Sequence, residues 1–374
     1  MKLLMPLVFR PFMIFSLFII AQAATGNEND PPTASTSSIQ WIGKDSVASI
    51  NPGVRLQNVA YFKASEDELS EAEAERVGIR RFRLSGDGFV LTPRLTYKVQ
   101  ADLSESGASL IDASISYSAT ENLQLSFGRA KVPANRERLY SSSRLAFAER
   151  SLGNDFVDVG RDFGFFADYN FTLGDQSNIN LKGMLGGETG GTARGQNGVL
   201  YAGRVDFEPF GEFASFTGGG AEHYKEPKAA FGAYISHMPN DIADIAPIDT
   251  TAFLDQEIYG ADFSFKYQGF SLMGAWGNRT IATEDDIFGE APGITTFSAE
   301  TGYLVSESFE PMIRYVQGTD NDENTLESYS LALNYYLDDH STKAQLELTH
   351  NDGEINFPMA SGDYFIRSLV QFSF

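Results

Sequence analysis

The sequence predicts an all-β chain, a 16-stranded antiparallel transmembrane β-barrel with short periplasmic turns and long extracellular loops. Three observations predict it. Segments of about ten residues that alternate apolar and polar side chains recur along the chain, their connections alternate between short and long, and the last segment ends on an aromatic residue. In a strand, alternation sends one set of side chains to lipid and the other to the lumen.

The first element is an export signal. Lys2 and Arg10 are positive, residues 13–20 form an apolar core, and Ala21-Gln22-Ala23 is a small-x-small cleavage site. The apolar run over residues 11–23 is too short to span a bilayer as a helix. Cleavage after Ala23 leaves 351 residues, enough for two soluble domains or one large barrel. Residues 24–54 read as a flexible polar lead into a barrel over 55–374. No other segment is apolar enough for a membrane helix, and the mean hydropathy is −0.21. With no cysteine, an exported chain has no disulfide framework and must rely on strand ladders and packing. Its 30 Phe, 16 Tyr and 35 Gly suit strands, tight turns and aromatic girdles.

Strands follow near residues 55–63, 77–86, 89–103, 109–118, 122–131, 159–171, 178–187, 199–208, 229–238, 257–267, 270–279, 295–305, 308–317, 328–337, 344–349 and 364–374. In the third, Leu95, Tyr97, Val99 and Ala101 oppose Arg94, Thr96, Lys98, Gln100 and Asp102. In the last, Tyr364, Ile366, Val370, Phe372 and Phe374 oppose Arg367, Gln371 and Ser373. Residues 119–122, 172–175 and 337–340 read as short turns; 132–158, 187–198, 239–256 and 281–293 read as long loops. A soluble β-sandwich has no reason to alternate connections this way. The acidic run 66–75 reads as a solvated loop tip.

Charge is distributed unevenly. The formal net charge is −22, and −24 once Lys2 and Arg10 are removed. Residues 76–161 carry thirteen Lys and Arg against nine Asp and Glu, a balance of +4. The rest of the mature chain carries 13 against 41, a balance of −28. Arg81 and Arg83 oppose Phe82 and Leu84, and a charge facing lipid at mid-depth costs about 2–4 kcal/mol, so they, Arg94 and Lys98 are expected inside. Arg129 and Lys131 share parity with Leu125 and Phe127, so either Gly128 marks a bulge or the strand has left the bilayer. If the loop from residue 132 folds inward, Arg136, Arg138, Arg144 and Arg150 would line a constriction. Rings of Arg and Lys select anions. The alternative is that these arginines pair with Glu137, Glu149, Asp155 and Asp158, or meet lipopolysaccharide phosphates outside.

With those residues in view, the chain resembles the phosphate-selective porin O/P family. The resemblance rests on Arg80-Arg81-Phe82-Arg83, Gly128-Arg129-Ala130-Lys131-Val132-Pro133, Ala148-Glu149-Arg150-Ser151 and Gly160-Arg161-Asp162-Phe163-Gly164, and it runs from about residue 55 to the end. It implies a homotrimeric 16-stranded porin in a Gram-negative outer membrane, with Arg80, Arg81, Arg83 and Lys131 guiding phosphate or polyphosphate and Asp102 as an acidic partner. It also implies contacts with lipopolysaccharide and outer-membrane lipids. Phe374 resembles the terminal signature read by the barrel-assembly machinery.

The expected function is passive diffusion of small anions, with no catalytic residues, metal, cofactor or nucleic-acid partner. Rival readings are a cation- or sugar-permeable porin, favoured if the acidic majority faces the lumen, and a non-conducting structural or adhesive barrel. An enzyme is the least supported: His223, His237, His340 and His350 show no triad or zinc spacing.

Overall fold

The computed structural model describes residues 48–374 except 66–72, 105–106, 175, 188–198, 240–254, 283–292 and 356–362. The signal segment, most of the acidic run 66–75 and most of three expected long loops lie outside the described residues. Sixteen antiparallel strands close into one barrel, each pairing with its neighbours in sequence and β1 with β16.

The strands are β1 (Asn51–Ser65), β2 (Glu73–Val90), β3 (Thr92–Asp102), β4 (Ser109–Ser118), β5 (Leu123–Lys131), β6 (Arg161–Leu173), β7 (Ser177–Gly186) and β8 (Leu200–Glu208). They continue as β9 (Lys228–Met238), β10 (Asp255–Tyr267), β11 (Phe270–Ala282), β12 (Ile294–Tyr303), β13 (Phe309–Asp320), β14 (Thr325–Asp338), β15 (Thr342–Gly353) and β16 (Asp363–Ser373). Each overlaps an expected strand, and β1 begins at Asn51 rather than 55. Closure runs to the last residue: Val54 N donates to Phe374 O at 2.7 Å, and Phe374 N returns to Val54 O at 3.0 Å.

Alternation holds on the lipid side. Phe372 and Phe374 are exposed outward while Arg367 and Gln371 are buried inward. The expected strand over 89–103 is split. Leu91 takes a left-handed φ of 65°, so Phe89 and Val90 finish β2 and a one-residue turn starts β3. Gly128 has φ +132° but β5 pairs with β4 and β6 without a register shift, so it is no bulge. A Cβ there would lie 2.1 Å from Ala113 O, so the β4 backbone requires a glycine. Lys131 is the last residue of β5 and turns inward as the strand becomes loop.

Two connections break the short-long rule. β13 and β14 join at the long-loop end through only four residues, 321–324, held by the Asp320 carboxylate accepting from Asp322 N and Asn324 N. At the short-turn end, β8 and β9 are joined by the long segment 209–227.

Both that segment and the loop 132–160 enter the lumen. The loop carries α1 (Arg136–Leu139) and α2 (Leu152–Phe156), capped by Asn135 and Ser151. Glu137 ties the two together, accepting from Ser151 N at 2.7 Å and Ser151 Oγ at 2.5 Å. The loop's apolar foot, Val132, Leu152, Phe156, Val157 and Val159, packs on Met184, Leu200, Tyr234, Ile258, Val316 and Leu326. These wall residues point inward, against the polar-lumen rule, because loop rather than water covers them. Burying each large apolar side chain stabilises the seat by about 1.5–3 kcal/mol.

Candidate functional site

The site begins with an irregularity in β2. Gln57 pairs with Arg81 and Asn58 with Ile79, leaving Arg80 as an extra residue opposite that step. A bulge of this kind reverses the alternation. Arg76 precedes it, Arg80 is its extra residue and Arg81 and Arg83 follow it, yet all four serve the lumen side. Arg80 donates to Glu149 through Nε at 2.5 Å and Nη2 at 2.8 Å. Arg81 donates to Gln57 Oε1 at 3.0 Å and lies 3.7 Å from Glu149.

The loop closes a cavity of about 560 Å³ against this wall. Seven arginines line it: Arg76, Arg80 and Arg81 from β2, Arg138 and Arg150 from the loop, Arg314 from β13 and Arg367 from β16. Two carboxylates, Glu149 and Asp155, face them. Arg150 is held by backbone carbonyls, Glu137 O at 3.1 Å and Tyr140 O at 2.9 Å, so its charge is not neutralised by its own partners. Arg138 lies 3.1 Å from Asp158.

The remaining expected site residues divide between further positions. Arg83 bonds Asp102 at 2.7 Å and Ser142 Oγ at 2.9 Å, and Arg55 reaches the same hydroxyl at 3.1 Å. Lys131 donates to Leu139 O at 2.9 Å and Tyr140 O at 2.7 Å, fixing the start of the loop. Lys98 is exposed, 3.7 Å from Asp112, which Arg161 binds at 2.7 Å. Arg144 is exposed on the loop, and its carbonyl accepts from Gly218 N at 2.8 Å. Arg94 stands at the short-turn rim, donating to Ala119 O at 3.1 Å with its guanidinium over Tyr117. Arg136 is completely buried and cannot face water.

Arg136 instead joins a four-charge brace. Its Nε and Nη2 reach Asp262 and Asp206, both at 2.7 Å. Arg204 binds the same two carboxylates at 2.7 and 2.6 Å. Phe216, from the inserted segment 209–227, lies against both guanidiniums at 5.0 and 5.5 Å. Gly232 leaves room for the brace: a Cβ there would stand 2.2 Å from Arg204 Nη2. Neither this brace nor the placing of Arg76, Arg314 and Arg367 at the cavity is legible in the sequence, since each depends on partners brought together only by the closed barrel.

Part of the acidic excess is buried in the lumen. Glu300, Glu310, Glu347, Asp206 and Asp262 are all buried beneath the inserted segments. Arg314 and Arg367 share Glu347, at 3.5 and 2.7 Å. Glu310 accepts from Tyr336 Oη at 2.7 Å and Gly220 N at 2.6 Å. The cavity left beside the loop is lined by the arginines of β2, β13, β16 and the loop itself.

Two loop carboxyls respond oppositely to this setting. Burial alone would raise Glu149, but the Arg80 hydrogen bonds and the Arg81 charge outweigh it and hold the group down to about 2. Asp155 is exposed on its cavity side but has the folded loop crowded around it. That enclosure, with the Glu137, Asp158 and Glu149 charges, pushes it up to about 6 against the opposing hydrogen bond from Asn154.

A family model described as phosphate-selective porin O and P matches residues 53–354. Among solved structures, the chain is similar to an anion-selective porin from Comamonas acidovorans, at 12% identity over 87% of this chain and 100% of that one, with a TM-score of 0.58. A loop-deletion mutant of OmpT, an outer membrane protein of Vibrio cholerae, aligns at 11% identity over 88% and 100%, with a TM-score of 0.59. The outer membrane channel DcaP of Acinetobacter baumannii aligns at 12% identity over 89% and 99%, with a TM-score of 0.55. At these identities the likeness is one of fold. No curated protein matches the chain.

Proposed function

Because the chain belongs to the phosphate-selective porin O and P family, and so is an outer-membrane porin, we propose that it passes small anions by passive diffusion, inorganic phosphate and polyphosphate among them. The observation that carries this reading is the cavity in which seven arginines face two carboxylates. Each cation lowers the electrostatic barrier to an anion where water is sparse. The guanidinium fork also matches the oxygen geometry of phosphate. The similar porin from Comamonas acidovorans is described as anion-selective, which supports the same reading.

The rest of the proposal follows from the family. Residues 1–23 direct export, Phe374 is read by the barrel-assembly machinery, and the outer surface meets lipopolysaccharide. The assembly is a homotrimer, supported by the trimer form in which the similar Vibrio cholerae OmpT was solved. Neither catalysis nor a cofactor enters this scheme.

The test is the reversal potential of the purified protein in planar bilayers under a chloride gradient, followed by titration with phosphate. Anion selectivity with saturable block by phosphate is expected. Cation selectivity would overturn the proposal, and absence of conductance would mean that the inserted segments close the lumen.

A pH effect accompanies it. On acidification through pH 6 the Asp155 carboxyl takes up a proton, so the cavity loses one negative charge and becomes more favourable to anions. The anion-to-cation permeability ratio should rise across that range, and Asp155→Asn should remove the step while keeping the higher ratio at neutral pH.

A further inference from the structure

Glu149 holds a position that differs from those of the other acidic groups of the lumen. Its carboxylate forms a two-point bond with Arg80 and approaches Arg81, the arrangement that an incoming oxyanion would adopt there. It is not sealed in: a quarter of its side-chain surface, 24%, remains in contact with the cavity. Its backbone is fixed independently of that side chain. Glu347 accepts from Ala148 N at 2.8 Å and Glu149 N at 3.4 Å, and Arg314 donates to Glu149 O at 3.2 Å. The carboxylate can therefore swing off Arg80 while the loop stays seated.

We propose that Glu149 is a tethered competitor for the anion-binding arginines, a specificity-determining residue that each permeating oxyanion must displace from Arg80 and Arg81. The inference rests on the anion-porin reading. A site with uncompensated guanidiniums would hold a multivalent anion tightly and become a trap, whereas conduction requires a site that is easily left. When an oxyanion takes the Arg80 fork, the Glu149 carboxylate turns into the cavity as a fixed negative charge beside it. Its return to Arg80 restores the pair and expels the anion. A monovalent anion that makes one hydrogen bond gains less from the exchange than an oxyanion that makes two, so the exchange also favours oxyanions over halides.

The test compares wild type with Glu149→Gln in planar bilayers, with inorganic phosphate as the probe and chloride as the carrier. The variant should need about tenfold less phosphate for half-block, with correspondingly longer phosphate dwell times, because its competitor no longer carries charge. A larger conductance with unchanged phosphate affinity would mean that Glu149 only pins the loop, and would overturn the inference. If Glu149→Gln does not assemble, Glu149→Asp withdraws the carboxylate by one methylene and should tighten phosphate block in the same direction. No tightening in that variant overturns the inference too. Wild-type selectivity separates the two levels: an anion-selective wild type with an unaltered variant leaves the porin reading standing, whereas a cation-selective wild type removes both.

Discussion

Asp262→Ala is expected to unseat the inward loop. The carboxylate binds Arg136 and Arg204 at 2.7 Å each and is almost completely buried. Removing it leaves two buried guanidiniums to share Asp206. Breaking a buried ion pair from one side costs about 3–5 kcal/mol. Arg136 belongs to the loop while Arg204 and Asp206 belong to β8, so the cost falls on the attachment between them rather than on the barrel ladder. Single-channel recording should show a larger, fluctuating conductance with reduced ion selectivity. The temperature at which the folded band disappears on electrophoresis should fall only modestly. A conductance identical to wild type would show that the apolar foot alone holds the loop.

The second large effect is expected at the cavity. Replacing Arg81 and Arg150 together by Gln takes the lining from seven arginines against two carboxylates to five against two. Arg81 bonds Gln57 and shares Glu149 with Arg80, and Arg150 bonds two carbonyls, so neither charge is cancelled one for one. The anion-to-cation permeability ratio should fall about tenfold, and phosphate block should weaken at least as much, since each fixed charge acts in a poorly hydrated space. Lys98→Gln supplies the contrast. Its ammonium is exposed and 3.7 Å from Asp112, so the change should alter selectivity little. Reversal potentials of the two variants in the same salt gradient check both expectations.

How much of this was legible in the sequence follows from which interactions are local. Period-two patterning depends on neighbours along one strand, and it located all sixteen strands. It also oriented Arg367 and Gln371 inward and Phe372 and Phe374 outward. The β2 bulge was not legible, because it is defined by what lies opposite Arg80 on β1. Alternation alone sends Arg80 and Arg81 to opposite faces, and only the family resemblance joined them. The apolar inward residues Val316 and Leu326 had no meaning until the loop was known to cover them. Arg136 illustrates the limit in the other direction. Its place in a basic loop suggested exposure to the pore, but the carboxylates that claim it lie 70 and 126 residues further along the chain. The net charge misleads for a similar reason: formal counting treats a sealed Glu347 and a solvated loop glutamate alike.

The inward loop connects β5 to β6, and besides its bonds to β1 and β2 it rests on residues that come later in the chain: Arg204 on β8, Asp262 on β10, Arg314 on β13 and Glu347 on β15. Such contacts form late, since every intervening strand must first be in register before distant residues repay the loss of chain freedom. A half-assembled barrel thus has strands that can pair but only the β1–β2 part of the seat for residues 132–160. Occupation of the lumen becomes a record of closure, because the passage acquires its final bore only once the last strand has met the first.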